Sequence, residues 1–352
     1  MTAERWEPDA FKARVDAVLR DFTADEADQL AAIDPALTPV AAQLEAAVTD
    51  GKRLRAAFCY WGWRAAGGPD SDALLRAAAS MELVHAAAVV HDDLIDESPL
   101  RHGRPTTQVA LRSAVRGRPR AAGAARSLAM LVGDLLMSLA GQLFATSGLP
   151  AAYLGRARPL WAALARELIA GECLEILHTG EVPDTSRALK VVRYKTAKYT
   201  VEQPLLIGGA LAGAGERLRL GYSGYGLPLG EAFQLRDDLL GLFGDPARTG
   251  KADADDVRGR RPTALLAETW RLASPEQREQ LGELLGRRHD KDGVALGAVR
   301  DLMGALKAPD RIEALIATRV DDALDALHRL NAPAPATAAL DALAHSATAR
   351  LY

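Results

Sequence analysis

Apolar residues recur at three- and four-residue spacing along almost the whole chain, and strand-like alternation is nearly absent. Alanine and leucine, both strong helix formers, fill most apolar positions. The pattern predicts helices at roughly 9–32, 36–66, 71–97, 106–116, 121–146, 151–179, 185–213, 216–243, 263–272, 275–288, 294–306, 310–330 and 336–350. Breaks fall at Gly67-Gly68-Pro69, Gly117-Arg118-Pro119, Ser147-Gly148-Leu149-Pro150 and Asn331-Ala332-Pro333-Ala334-Pro335. Ser274-Pro275-Glu276 is a good helix start, with a serine cap and proline in the first turn. Ala73 to Val90 is apolar nearly all round, the mark of a helix inside a bundle. No solenoid repeat, low-complexity tract or long linker divides the chain, so residues 1–352 are expected to form one all-α domain, a single large helical bundle.

Composition narrows the class. A length of 352 residues alone would suggest about two domains, but large single helical domains also occur. With 49% hydrophobic and 25% charged residues the make-up is that of an ordinary soluble protein. A net charge of −3 with no evident basic tract gives no reason to expect nucleic acid. Cys59 and Cys173 are too few for a disulfide framework, and each sits in an apolar helical context that suits a packed thiol. The first residues lack a signal-peptide layout, and no uninterrupted apolar run reaches the ~18 residues that cross a bilayer. No transmembrane segment is expected, and a cytoplasmic location is.

Candidate chemistry concentrates at Val90-His91-Asp92-Asp93-Leu94-Ile95-Asp96-Glu97, where an apolar helical run breaks into acid. On a helix Asp92 and Asp96 share a face, with Asp93 about 100° round. Clustered carboxylates repel unless a cation neutralises them, and hard oxygen ligands suit Mg²⁺. The bland alternative is an acidic helix end in water. A second acidic pair, Asp237-Asp238 after Gln234-Leu235-Arg236, shifts the balance. Two such clusters across a bundle suit metal-assisted departure of a diphosphate.

Basic elements accompany them. Gly51-Lys52-Arg53-Leu54-Arg55 places Lys52 and Arg55 three apart, suited to an anion, though a solvated basic turn would read the same. Arg101-His102-Gly103-Arg104-Pro105 follows the first acidic motif in a loop, and His85 stands two turns before Asp92. A lone histidine is more often a satisfied core residue. Lys195 sits beside Thr196 in an apolar helix, and Thr249-Gly250-Lys251 opens a polar loop running to Arg260-Arg261, with the character of an active-site lid.

In this order the motifs, from about Gly51 to Thr263, resemble those of the trans-isoprenyl diphosphate (polyprenyl) synthases. Gly51 to Arg55 is similar to the family's G-K-R-x-R element, His85 with Asp92 to Asp96 to its first aspartate-rich region, and Arg101 to Thr106 to its R-R-G-x-P-T loop. Lys195-Thr196, Gln234 with Asp237-Asp238, and Thr249 to Lys251 are similar to the later landmarks. The resemblance implies a bundle of the isoprenoid synthase type with a central active-site cavity, usually a homodimer, that joins an allylic diphosphate to isopentenyl diphosphate. It implies that Asp92, Asp96 and Asp237 ligate three Mg²⁺ ions, supported by Asp93 and Asp238. Arg101, Lys195 and Lys251, with help from Arg260 or Arg261, would hold the allylic diphosphate. Lys52, Arg55 and His85, with His102 a weaker fourth, would hold isopentenyl diphosphate. Thr196 and Gln234 would lie along the developing carbocation.

Three positions depart from the pattern. Ala56 replaces a usual proline, expected to be a minor backbone matter. Gly241 replaces the last aspartate of the second motif. His102 replaces an arginine and, lacking a bidentate fork, is expected to weaken isopentenyl diphosphate binding. Ala87 and Ala88, one turn before the metals, would line the tunnel for the growing tail. Small residues there imply a product of twenty carbons or longer, geranylgeranyl diphosphate being favoured. Otherwise these alanines serve close packing and Met130, Leu131 or Leu135 set the floor. Two rivals are a terpene synthase that ionises without condensing and a non-catalytic subunit of a heteromeric synthase.

Overall fold

The computed structural model describes residues 6–244, 257, 259–286 and 294–348. The chain opens with α1 (Pro8–Ile33), α2 (Thr38–Val48), α3 (Leu54–Ala65) and α4 (Asp72–Ile95). A minimal antiparallel pair follows, β1 (Leu100–Arg101) with β2 (Arg104–Pro105), Leu100 opposite Pro105. Then come α5 (Thr107–Ala110), α6 (Ala121–Ala145), α7 (Ala151–His178), α8 (Thr185–Val191), α9 (Gln203–Ala212) and α10 (Glu216–Phe243). The last five are α11 (Ala264–Leu272), α12 (Pro275–Gly286), α13 (Val294–Ala305), α14 (Ala308–Arg329) and α15 (Ala334–Thr348). The all-α expectation holds, and most helix limits fall within two residues of the hydrophobic pattern.

The chain forms two compact units. Met1–Pro159, Pro204–Ala214 and Ala332–Ala338 make the first; Leu160–Gln203, Gly215–Asn331 and Ala339–Tyr352 make the second. In the first, α4 packs against α1, α2, α3 and α6, and Leu74, Met81 and Leu83 are fully buried. Helix α6 turns Val132, Leu136, Leu139 and Leu143 inward at helical spacing. By length and composition α4 and α6 could each cross a membrane, a feature that a search for unbroken apolar runs misses. With 72% of its most apolar window buried, α4 is the central core helix of its unit. In the second unit, α10 packs against α14 around Leu235, Leu239, Leu265, Ile312 and Ile316.

Three departures from the predicted pattern have local causes. The expected helix 36–66 divides because Gly51 (φ 135°) and Arg53 (φ 55°) leave the right-handed region. The buried Arg53 guanidinium donates to the carbonyls of Val48 and Asp50 at the end of α2 and pairs with Asp16 at 2.6 Å. The expected helix 106–116 shrinks to α5 and one 3₁₀ turn at Ser113–Val115. Its Thr106 and Gln108 side chains instead donate to the carbonyl of Ser98, at 2.8 and 3.2 Å. Within 185–213, the stretch Val192–Glu202 is π-helical.

Ala56 is more than the minor backbone matter expected. It lies in the first turn of α3, where backbone N–H groups lack helical partners. Its N–H donates to the carboxylate of Glu82 on α4 at 2.9 Å, and Glu82 is buried. A proline would fit the helix start but remove that donor. Ala56→Pro is therefore expected to cost about 1–3 kcal/mol, the penalty for a buried acceptor left short of a donor. Urea unfolding measures it, and an unchanged midpoint would show that the bond contributes nothing.

Candidate active site

In the first unit the acidic motif closes α4. Asp92, Asp93 and Asp96 stand on its last turn, and Glu97 (φ 56°) ends the helix. Asp93 is buried, whereas Asp92 and Asp96 are half-buried and one turn apart on the face opposite to full burial. Arg101 reaches back from β1: its Nε and Nη2 donate to Asp93 Oδ1 at 2.9 and 2.5 Å, and Nη2 donates to Asp92 Oδ2 at 3.1 Å. Burial pushes the Asp93 carboxyl above the ordinary carboxylate range; Arg101 opposes the shift and Asp92 adds to it. The backbone carbonyl of Asp93 accepts from Gln108 Nε2 at 3.1 Å, which braces the pair from behind.

The loop that carries Arg101 is a two-residue hairpin. His102 (φ 49°) and Gly103 (φ 74°) both occupy left-handed backbone, as a tight turn between antiparallel strands requires. His102 is exposed at the tip. Histidine tolerates this conformation better than most side chains, so the substitution suits the turn.

Lys52 is exposed between the two left-handed residues, and Arg55 is buried in the first turn of α3. His85 lies half-buried on α4. Burial, then Arg55, Arg101 and Arg53, drive its pKa well below 6.5, against the pull of Asp92. Its ring is neutral at pH 7. Ala87 is fully buried, and Ala88 is half-buried beside it. Leu135 is half-buried, but Met130 and Leu131 are 49% and 55% exposed, turned away from the packed face of α6. They are surface residues of the chain rather than the floor of an internal tunnel.

In the second unit the π-helical stretch carries the basic side chains. Lys195 Nζ pairs with Glu175 at 2.7 Å and Glu172 at 2.9 Å, both on α7. Lys198 pairs with Glu167 on the same helix at 3.1 Å and with Glu202 at 3.2 Å. Burial raises the Glu175 pKa, and Lys195 and then Arg261 oppose the rise. Arg261 Nε lies 4.0 Å from the same carboxylate. Thr196 Oγ1 donates to Gln234 Oε1 at 2.6 Å, and Gln234 Nε2 donates to Asp238 Oδ1 at 2.7 Å. Asp238 is buried, while its neighbour Asp237 is half-buried.

Close backbone approach makes this possible. A Cβ on Gly171 of α7 would stand 2.2 Å from the Lys195 nitrogen, and one on Gly230 of α10 would stand 2.5 Å from Ala197 Cα. Both helices thus grip the π-helical stretch where Lys195 and Thr196 emerge. Arg236, next to Asp237, is held by Glu313 of α14 and by the Thr348 carbonyl at 3.2 Å.

Glu172 and Glu175 escaped the sequence reading. Their three-residue spacing on one helix face was the available signal. Lys251 lies outside the described residues. Arg260 (φ 52°) exchanges hydrogen bonds with the backbone of Gly180: the Gly180 N–H donates to the Arg260 carbonyl at 3.1 Å, and Arg260 Nη2 donates to the Gly180 carbonyl at 3.4 Å. The residues foreseen as metal ligands offer carboxylate oxygens alone, a hard donor set that fits Mg²⁺.

All-helical units that carry paired aspartates and half-buried, acid-clamped cations have the all-α isoprenoid synthase fold, as the comparisons with known proteins show. A family model described as polyprenyl synthetase matches residues 39–302. The geranylfarnesyl diphosphate synthase of Aeropyrum pernix is 30% identical over 81% of this chain and 83% of its own length. The octaprenyl diphosphate synthase of Escherichia coli is 28% identical over 85% of this chain and 86% of its own. A geranylgeranyl pyrophosphate synthase from Corynebacterium glutamicum, solved with isoprenyl diphosphate and magnesium, superposes with a TM-score of 0.93 at 32% identity, covering 98% of this chain and 100% of that one. The chain belongs to the polyprenyl synthetase family and is a prenyltransferase.

The neutral state of His85 has a measurable consequence. A histidine whose folded pKa lies below 6.5 binds fewer protons folded than unfolded, so its contribution is present above pH 6.5 and is lost as pH falls. From pH 7.5 to 5.5 the wild type is therefore expected to lose stability on this account. Urea unfolding of the wild type and His85→Gln at both pH values checks this; the variant should lose less, and an equal loss would show that His85 does not titrate as described.

Proposed function

We propose that the chain condenses an allylic diphosphate with isopentenyl diphosphate to give a longer all-trans prenyl diphosphate. The observation that carries this reading is the pairing of acidic and basic groups in each unit: Asp92 and Asp93 with Arg101 in one, and in the other Asp238 joined through Gln234 to Thr196, whose neighbour Lys195 is clamped by Glu172 and Glu175. The two units are taken to act as one catalytic domain. Asp92, Asp96 and Asp237 would hold Mg²⁺, three ions in all, with Asp93 and Asp238 in support. Bound there, Mg²⁺ would draw negative charge from the departing diphosphate.

The chain's own side chains do the rest. Lys195 and Arg101 exchange their carboxylate partners for diphosphate oxygens, joined by Lys251 and Arg261. The allylic C–O bond breaks with its electron pair on the diphosphate. Thr196 Oγ1 has spent its proton on Gln234, so its lone pairs remain to face the allylic cation. Lys52, Arg55, His85 and, less firmly, His102 hold isopentenyl diphosphate while its double bond attacks that cation. The proton then lost passes to the released diphosphate. The neutral His85 ring serves as a hydrogen-bond partner rather than as a charge.

Several further readings rest on the same basis. Exposed Met130 and Leu131 on α6, and Ile169, Ile176 and Leu177 on α7, support a homodimer by giving a second copy apolar surface to cover. The unbridged Cys59 and Cys173 are consistent with a cytoplasmic enzyme. The small Ala87 and Ala88 favour a product of twenty carbons or more, geranylgeranyl diphosphate first.

Incubation of the purified protein with an allylic diphosphate, Mg²⁺ and labelled isopentenyl diphosphate should place the label in a longer diphosphate. A hydrocarbon or alcohol made without the label would instead mark a terpene synthase, and inactivity of the chain alone a partner-dependent subunit. Asp237→Asn is expected to lower kcat by about a hundredfold or more, the scale for losing one group that stabilises developing charge. Ala88→Phe should shorten the product, read by mass analysis; an unchanged product would take Ala88 off the tunnel wall.

A further inference from the structure

The net charge of −3 conceals a strongly basic region. Residues 98–133 contain seven arginines, no lysine, no acidic residue and no aromatic residue. Three of the arginines are committed: Arg101 to Asp92 and Asp93, Arg104 to Asp50 at 3.0 Å, and Arg126 to Glu97 at 2.6 Å. The other four, Arg112, Arg116, Arg118 and Arg120, fall within nine residues and are exposed. No acidic side chain among the described residues pairs with them.

Nothing in the fold needs this charge. The backbone of the stretch is anchored by buried Leu111 and Val115. Arg120 takes the N-cap position of α6 in left-handed backbone, and the first turn of that helix holds no acid. The positive end of a 25-residue helix thus meets cations instead of the anions that would stabilise it. An outside anion would remove that repulsion.

We propose that Arg112, Arg116, Arg118 and Arg120 dock the protein on an anionic lipid surface. Four exposed arginines without acidic partners suit the headgroup boundary, where each cation is worth about fivefold in partitioning. Single-stranded nucleic acid would call for aromatic stacking platforms, and the stretch has none. The inference deepens the proposed function, on which it rests for its purpose: a prenyl diphosphate of twenty carbons is an amphiphile, and delivery at a bilayer spares its tail from water.

The test is flotation of the full-length protein, without substrate, on vesicles of phosphatidylglycerol and phosphatidylcholine against vesicles of phosphatidylcholine alone. Binding should require the anionic lipid and fall steeply from 0.1 to 0.5 M salt. The fourfold Arg→Gln variant at 112, 116, 118 and 120 should lose about a hundredfold or more in partitioning, whereas the fourfold Arg→Lys variant, which keeps the charge, should bind. Both should keep helicity and solution activity on a short allylic starter. Equal binding to neutral vesicles, no binding to anionic ones, full binding by the Gln variant, or preferential binding of single-stranded RNA over vesicles would each overturn the proposal. Vesicle binding by a chain without condensing activity would leave docking standing and remove the catalytic reading; activity without binding would do the reverse.

Discussion

Charge held out of water governs this structure. An ionised side chain inside a helical core is tolerated only when paired and hydrogen-bonded. The half-buried Arg101 and Lys195 and the buried Asp93 and Asp238 meet that condition through protein partners. Arg101 spans Asp92 and Asp93, Lys195 is held between Glu172 and Glu175, and Asp238 takes the Gln234 amide. Arg101 and Lys195 are thus kept in place by carboxylates, which the diphosphate displaces in the proposed reaction. The same pairings fix the rotamers of long side chains before any substrate arrives.

The supporting elements follow from that need. Helix α4 is apolar almost to its end because it is a core helix, and the half-buried acids Asp92 and Asp96 come in its last turn. Helices α7 and α10 have glycine where they meet the π-helical stretch, since any Cβ would collide with its backbone. Arg53, in the middle of a basic motif, serves the end of α2 instead of a ligand. Only its flanking partners, Lys52 and Arg55, remain for anion binding in the proposed reaction.

Much of this was legible in the sequence. The three-and-four spacing gave the helices, and the Asp92 and Asp237 motifs stood out because adjacent acids after an apolar run are uncommon unless used. Boundaries set by backbone handedness were harder: Lys52 to Arg55 has good helix formers, yet Gly51 and Arg53 turn left-handed. The π-helical stretch was invisible, because its hydrogen-bond register depends on the glycines of two other helices rather than on its own composition. Glu172 and Glu175 were missed for a related reason. Half-buried acids on a long helix look like solvent-exposed ones until the lysine opposite them is known.

The register of Val192–Glu202 also limits how this segment can vary between relatives. A substitution there changes one side chain and leaves the register of its neighbours in place. Loss or gain of one residue is another matter, since it would rotate everything beyond it by about 100°. A change before Lys198 would swing that residue off Glu167, and one between Lys198 and Glu202 would part the buried Glu202 from its counterion. Insertions and deletions should be purged from this stretch far more strictly than substitutions, whatever product length a relative has evolved to make.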